Sequence, residues 1–209
     1  MKKNLGLVVA GLLTLALASA AGASPITTLF GTGLSAGGVA LPGAAIDPHY
    51  LDVQTSTQAI VRTALPATYF PNDASSEWIW ENADGTPLSV TRTFRTTFDL
   101  TGLNPSTAMI SGAWGTDNTG LAIRLNGNVT GITLPGASTT NFSVLHAFTI
   151  SNPAWFSSGI NTLEFDVQDV GGFSAFRAQL SGTAAVPEPA TLALLGLGLA
   201  GLGFSRRKQ

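Results

Sequence analysis

Between residues 88 and 100, Leu88, Val90, Phe94, Phe98 and Leu100 fall on one side of an extended backbone, and Thr91, Thr93, Arg95, Thr97 and Asp99 on the other. A period of two belongs to a β-strand, whose successive side chains point to opposite faces. Arg92 and Thr96 interrupt the apolar side, so this strand is expected to be half buried. The same spacing recurs. Ala108, Ile110, Gly112 and Trp114 share a face, as do Leu121, Ile123 and Leu125. Asn126-Gly127 then supplies a hairpin turn, because a type I′ turn needs positive φ at both central positions, and returns the chain into 129–134. Further strands are predicted over 142–150, 161–167 and 174–182, with an earlier one near 51–62. That makes about eight strands, and no convincing amphipathic helix competes with them. In the last strand Phe176, Ala178 and Leu180 point one way and Arg177 and Gln179 the other. The expected class is all-β, a single β-sandwich of jelly-roll type over residues 50–185.

Both ends of the chain depart from this pattern. Met1-Lys2-Lys3-Asn4 is a short basic region, residues 5–17 are apolar, and Ala18-Ser19-Ala20 offers a small-x-small cleavage site, with Ala21-Gly22-Ala23 as an alternative. These are the parts of a secretory signal peptide, assigned to residues 1–23. As a helix the apolar run spans about 20 Å, short of the roughly 30 Å of bilayer hydrocarbon. Export leads to an oxidising compartment, yet the chain has no cysteine. Disulfides, thiol catalysis and an N-terminal lipoprotein anchor are therefore excluded, and stability must come from the core. Residues 24–49, rich in glycine and alanine, read as a lead-in to the sandwich.

Residues 186–209 read VPEPATLALLGLGLAGLGFSRRKQ. Pro187-Glu188-Pro189 breaks any preceding element, the uncharged run 190–204 is about 22 Å long as a helix, and Arg206-Arg207-Lys208 stays cytoplasmic under the positive-inside rule. Between the two ends lie five arginines, eleven acids and no lysine. A body this acidic carries no footprint for nucleic acid and no polybasic patch for anionic lipid.

The tail resembles the PEP-CTERM sorting signal of bacterial exported proteins. Pro187, Glu188, Pro189, the glycine-rich apolar run and Arg206 and Arg207 carry the likeness. The resemblance implies recognition by an exosortase, a membrane-embedded cysteine transpeptidase-like enzyme, with cleavage near Pro-Glu-Pro. It also implies a Gram-negative producer, usually one that makes exopolysaccharide. On this reading signal peptidase and exosortase are the maturation partners. The chain is exported, held transiently in the inner membrane through a transmembrane helix, and then placed at the cell surface or outside the cell. A plain single-pass anchor is the alternative. Residues 88–183 are similar to the galactose-binding-like jelly roll of some sugar-binding domains. The segments concerned are Trp114-Gly115-Thr116-Asp117-Asn118, the strand into Leu125-Asn126-Gly127, and residues 156–165 with their x-x-G-x-N-x-L pattern.

Candidate chemistry is sparse. Gly196–Gly201 spells G-x-G-x-x-G but has neither the preceding strand nor the following acid of a dinucleotide site. Gly33-Leu34-Ser35-Ala36-Gly37 spells a nucleophile elbow, but Gly38 and Pro42 allow no helix after the serine. His146 shares a face with Phe142, Val144, Phe148 and Ile150 and reads as a structural histidine, while His49 sits in a loop. Asp166, Asp169 and the Gly171-Gly172 turn would offer hard oxygen ligands to a structural calcium, and no other cofactor is expected. For sugar binding, Trp78 and Trp80 stand two residues apart and would face the same way on a strand. Asn72, Asp73, Glu77, Glu81, Asn82 and Asp84 would form their polar rim. Trp114, sharing a face with Ile110, reads as core. The expected function is a non-enzymatic protein of the extracellular polysaccharide matrix. The alternatives are a carbohydrate-binding module with Trp78 and Trp80 as platform, and an exported glycan hydrolase using Glu164 and Asp166.

Overall fold

The structure is a computed structural model and describes residues 22–187, together with Gly198. The signal-peptide helix, the helix over 190–204, and Glu188, Pro189, Arg206 and Arg207 lie outside the described residues. Among the described residues no helix is long and apolar enough to cross a membrane.

Eleven strands follow in order: β1 (Ala23–Pro25), β2 (Ile46–Asp52), β3 (Thr57–Val61), β4 (Ile79–Trp80), β5 (Thr91–Asp99), β6 (Asn104–Asp117), β7 (Thr119–Leu125), β8 (Asn128–Val129), β9 (His146–Ile150), β10 (Ile160–Gln168) and β11 (Ala175–Ala185). A single-turn helix, α1 (Thr140–Ser143), precedes β9. The strands pair in the order β8-β7-β10-β5-β2-β3-β4-β11-β6-β9, with β1 added to β11. In a flat sheet β10 and β11, five places apart, would lie about 24 Å from each other. Yet the rings of Phe165 on β10 and Phe176 on β11 are 4.9 Å apart, and those of Phe94 on β5 and Phe176 are 5.1 Å apart. The sheet is therefore doubled over, and it turns at β2–β3, where the pairing slips between Ile46 and Leu51.

The two inner faces make the core. Phe94, Phe98, Ile123, Leu163, Phe165 and Val167 come from one layer, and Trp80, Ile110, Trp114, Phe148, Ile150 and Phe176 from the other. Trp114 is in the core, as its shared face with Ile110 predicts. The Trp114 indole lies so close to Gly120 that a Cβ there would sit 2.4 Å from the ring. A second apolar cluster covers the outer face of the β6–β11 layer. There residues 62–78 lay Tyr69 and Trp78 against Ala175, with Phe70, Phe142 and Leu145 packed around them.

The sequence pattern and the structure differ in several places. The segment 51–62 is a hairpin, β2 into β3, with Ser56 at φ 58° in the turn. β5 begins at Thr91, because Ser89 takes φ 57° and Leu88 is exposed. The strand expected over 142–150 begins only at His146. Buried Asn141 donates to the carbonyls of Asn118, Leu134 and Gly136 and holds the chain in α1 instead. Residues 24–49 belong to the sandwich: β1 pairs with β11, Ile26, Leu29 and Leu34 are buried, and β2 already starts at Ile46. Asp47 fastens this stretch by accepting from the backbone N–H of Gly33 at 2.6 Å and of His49 at 2.8 Å.

Candidate binding site at the loop end

Five pairings bring the ends of seven strands to one end of the sandwich. Thr91 of β5 pairs with Gln168 of β10, Gln168 with Thr119 of β7, and Ala175 of β11 with Asp117 of β6. Ile79 of β4 pairs with both Val61 and Phe176. The connections 62–78, 81–90 and 169–174 therefore gather at one end, around the Asp117-Asn118 junction.

The buried polar side chains at that end include Arg62, Tyr69, Asp117 and Asp169. The Tyr69 hydroxyl and the Asn118 amide both donate to the Asp117 carboxylate. Burial pushes Asp117 up to about 6, against the Tyr69 hydrogen bond, and the neighbouring Asp169 raises it further. Burial raises the Tyr69 phenol, and the Asp117 contact adds to this. Asp169 accepts from the N–H of Ser89 at 2.5 Å and of Gly171 at 3.0 Å through Oδ2, while its buried Oδ1 has no partner. Arg62 is 3% exposed, and burial pulls its guanidinium below its ordinary value. Its Nη2 makes one long bond of 3.4 Å to Ala64 O, and Nε and Nη1 have none. Gly85, at φ 82°, lies directly against this guanidinium, where a Cβ would meet Nη1 at 1.8 Å. Four of the body's five arginines pair with acids: Arg92 with Asp52 and Glu81, Arg95 with Glu164, Arg124 with Asp166 and Arg177 with Asp73. Arg62 is the exception.

The rim of this end is apolar and open. Leu88, Val170 and Phe173 are exposed, and Phe173, at 52%, is the most exposed aromatic ring among the described residues. An open groove of about 240 Å³ runs past Leu65, Pro66, Tyr69, Phe70 and Asn72 of the connection 62–78.

The tryptophan platform expected from the sequence does not exist on this surface, because Trp78 and Trp80 are both 0% exposed. β4 is only two residues long, so the pair does not share a strand face. Trp78 turns to the outer cluster, edge-on to Tyr69 at 5.0 Å, with Nε1 donating to Phe70 O at 2.8 Å. Trp80 enters the main core beside Phe94, with Nε1 directed at Pro87 O, 3.3 Å away. An indole packed on both faces cannot stack on a sugar. The intended rim is also engaged elsewhere: Glu81 holds Arg92, Asp73 holds Arg177, and Asn82 and Asp84 both bond to Thr86.

Asp166 and Asp169 do not converge on a calcium. Asp166 faces outward from β10, bonded by Arg124 at 2.7 Å and Thr93 at 2.8 Å, while Asp169 belongs to the loop. Among the described residues no group of three His, Asp or Glu side chains could hold a metal. Glu164, the other proposed hydrolytic acid, is tied to Arg95. His49 lies in β2, stacked on Phe30 at 3.9 Å, and reaches the carbonyl of Ser35, the serine of the elbow-like sequence. His146, half buried on β9, bonds to Thr140 O.

At the opposite end two of the three jelly-roll-like segments meet, while the third, ending in Asp117-Asn118, lies at the loop end. Asn126 donates to Asn161 Oδ1 at 2.7 Å and accepts from the Thr162 N–H at 2.8 Å, and Asn161 donates to the carbonyls of Ser157 and Gly159. Those motif residues brace turns. The loop-end residues Arg62, Tyr69 and Phe173 were not singled out by sequence. Phe173 follows Gly171-Gly172, which marks an exposed turn, but nothing local shows that Arg62 is the arginine without an acid partner among the described residues.

Residues 185–208 match the PEP-CTERM protein-sorting motif. No curated protein matches the chain in sequence. Among solved structures, that of CBM35 from Paenibacillus barcinonensis is similar at 18% identity, over 65% of this chain and 98% of that one, with a TM-score of 0.37. The chain thus carries, behind an all-β sandwich, the PEP-CTERM motif that marks an exported protein for sorting by exosortase to the cell surface.

Proposed function

We propose that this chain is a non-catalytic protein of the extracellular polysaccharide matrix, and that its loop end binds a polyhydroxylated glycan. The reading is carried by the buried polar groups left without partners there: two donor nitrogens of Arg62, Nε and Nη1, and one carboxylate oxygen of Asp169. Leaving such groups unpaired costs about 1–3 kcal/mol each, which a fitting ligand returns. A sugar hydroxyl both accepts and donates, so neighbouring hydroxyls complement this mixed set, whereas a bare cation or anion satisfies only half of it. Phe173 adds an exposed ring for the apolar C–H face of a pyranose. Because Gly85 lies over Arg62, a ligand reaches the guanidinium only when the connection 81–90 moves aside.

Retention in the matrix tests this. Phe173→Ala is expected to be exported and processed like the native chain but to wash out of the matrix into the medium. Retention equal to that of the native protein contradicts the proposed site. Hydrolysis is a second reading, favoured by one observation: Asp117, pushed up to about 6, stands near a second carboxylate, Asp169. It requires that the protein release reducing ends from the polymer and that Asp117→Asn abolish this.

A further inference from the structure

The Asp117-Asn118 junction does more than join β6 to β7. Every hydrogen-bonding group of Asn118 is used. Its N–H donates to Gln168 O at 3.1 Å, at the end of β10. Its carbonyl accepts from Thr116 Oγ1 at 3.1 Å and from Asn141 Nδ2 at 2.7 Å, which ties in α1. In the side chain, Oδ1 accepts from the Val170 N–H at 2.8 Å, and Nδ2 donates to Oδ1 of the Asp117 carboxylate. The other oxygen of that carboxylate takes the Tyr69 hydroxyl. One path of side chains thus runs from Tyr69 in the connection 62–78, through Asp117 and Asn118, to Val170 in the connection that carries Phe173. Asp169, the neighbour of Val170, extends it to the connection 81–90 through the Ser89 N–H.

We propose that Asp117 is the positioning residue of the loop-end site: ionised, it holds the Phe173 connection in place through Asn118, and protonated, it lets that connection slacken and the glycan go. This rests on the glycan-binding reading. A carboxylate offers acceptors alone, and both groups bonded to its oxygens are donors, so the ionised form completes the path. A protonated carboxyl must itself donate, and one of the two contacts is then lost or reversed. The change falls in an accessible range. Burial pushes Asp117 up to about 6, the Tyr69 hydrogen bond opposes this, Asp169 adds to it and Arg62 opposes it. Those three are the titratable groups that act on Asp117, from the connections 62–78 and 169–174. α1 and the first two residues of β11 bring none. Arg177, further along the same outer face, is committed to Ser76 and Asp73.

The test is the pH profile of binding by the processed protein to the producer's exopolysaccharide. Between pH 7 and pH 4 the Kd is expected to rise about tenfold, the worth of one hydrogen bond to a charged group. Buried carboxyls make the fold more stable over the same interval, so a loss of binding there is not unfolding. Asp117→Asn, which cannot ionise, should bind at the weaker level with no pH dependence. Tyr69→Phe is the second variant, should Asp117→Asn fold poorly. It removes the hydrogen bond that holds the carboxyl down, so its midpoint should lie above that of the native protein. Independently of any glycan, the Val170 amide should lose hydrogen-exchange protection as the pH falls to 4. A native Kd that is the same at both pH values, or the native pH profile in Asp117→Asn, overturns the positioning role and leaves the glycan reading standing. Val170 protection unchanged across the interval overturns it as well. Absence of native binding at either pH overturns the glycan reading, and this inference with it.

Discussion

Arg177 is fully buried and yet surrounded by partners. Its Nε donates to Ser76 Oγ at 2.7 Å, Nη1 reaches the carbonyls of Phe70 and Pro71, and Nη2 lies 2.9 Å from Asp73 Oδ2, close enough for an ion pair though not aligned for a hydrogen bond. The guanidinium also sits 5.4 Å from the centre of the Phe70 ring. The alternation in β11 correctly sends Arg177 away from Phe176, but it could not reveal that residues 62–78 fold back over that face. Arg177→Ala should cost about 3 kcal/mol, as removal of one member of a buried polar set does. Arg177→Lys should recover only part of this, since an ammonium cannot reproduce the guanidinium's fork. Chemical denaturation measures both, and an effect of Arg177→Ala near zero contradicts the packing described. Asp47 and Asp117 set the pH response. Burial pushes each up to about 6, so between pH 4 and 6 the folded chain binds more protons than the unfolded one. The stability from these two groups is complete only below the ordinary carboxyl value of 3.8 and is lost as pH rises from there through 6. Asp52 and Glu77, also raised chiefly by burial, act in the same direction. Unfolding free energy should therefore fall from pH 4 to pH 7, by up to about 3 kcal/mol for each of the two leading groups. A rise over that interval contradicts the burial of these carboxyls.

At the scale of elements, what could be read from the sequence was what depends on local periodicity. β5, β10 and β11 lie where the period of two puts them, and the Asn126-Gly127 turn has both residues at positive φ, 49° and 80°. The exceptions depend on contacts distant in sequence. Residues 24–49 look like a loose lead-in until β11 supplies a partner for β1 and Asp47 supplies acceptors for the backbone. Residues 142–145 fit a strand until Asn141 is seen to bind three carbonyls. Trp78 and Trp80 fit an exposed strand only if β4 is longer than two residues. The loop-end site was legible least, because it is assembled from four separate connections and consists of groups defined by lacking partners. Two variants test the element packing. Gly120→Ala pushes a methyl group into the Trp114 ring and should destabilise by about 1–3 kcal/mol without altering the fold. Asn126→Ala and Asn161→Ala should each cost about 1–3 kcal/mol and fall short of additivity when combined, because they share one hydrogen-bond network. Strict additivity in the double-mutant cycle contradicts a single brace between these turns.

For the whole molecule, sorting and the proposed glycan binding rest on different residues. The PEP-CTERM motif occupies residues 185–208, whereas β11 begins at the loop end with Ala175 opposite Asp117. Removal of residues 187–209 should leave the sandwich folded and abolish exosortase processing and surface placement. Mass spectrometry of fractionated cells checks this, and a truncated chain found on the surface at the mass of the processed native protein contradicts it. The central claim concerns the loop end. Calorimetric titration of the processed protein with the producer's exopolysaccharide, run in calcium and again in a chelator, tests it most directly. The account predicts saturable binding that survives chelation and is lost in Phe173→Ala with unchanged thermal stability. Absence of binding by the native protein, or full binding by Phe173→Ala, would contradict it.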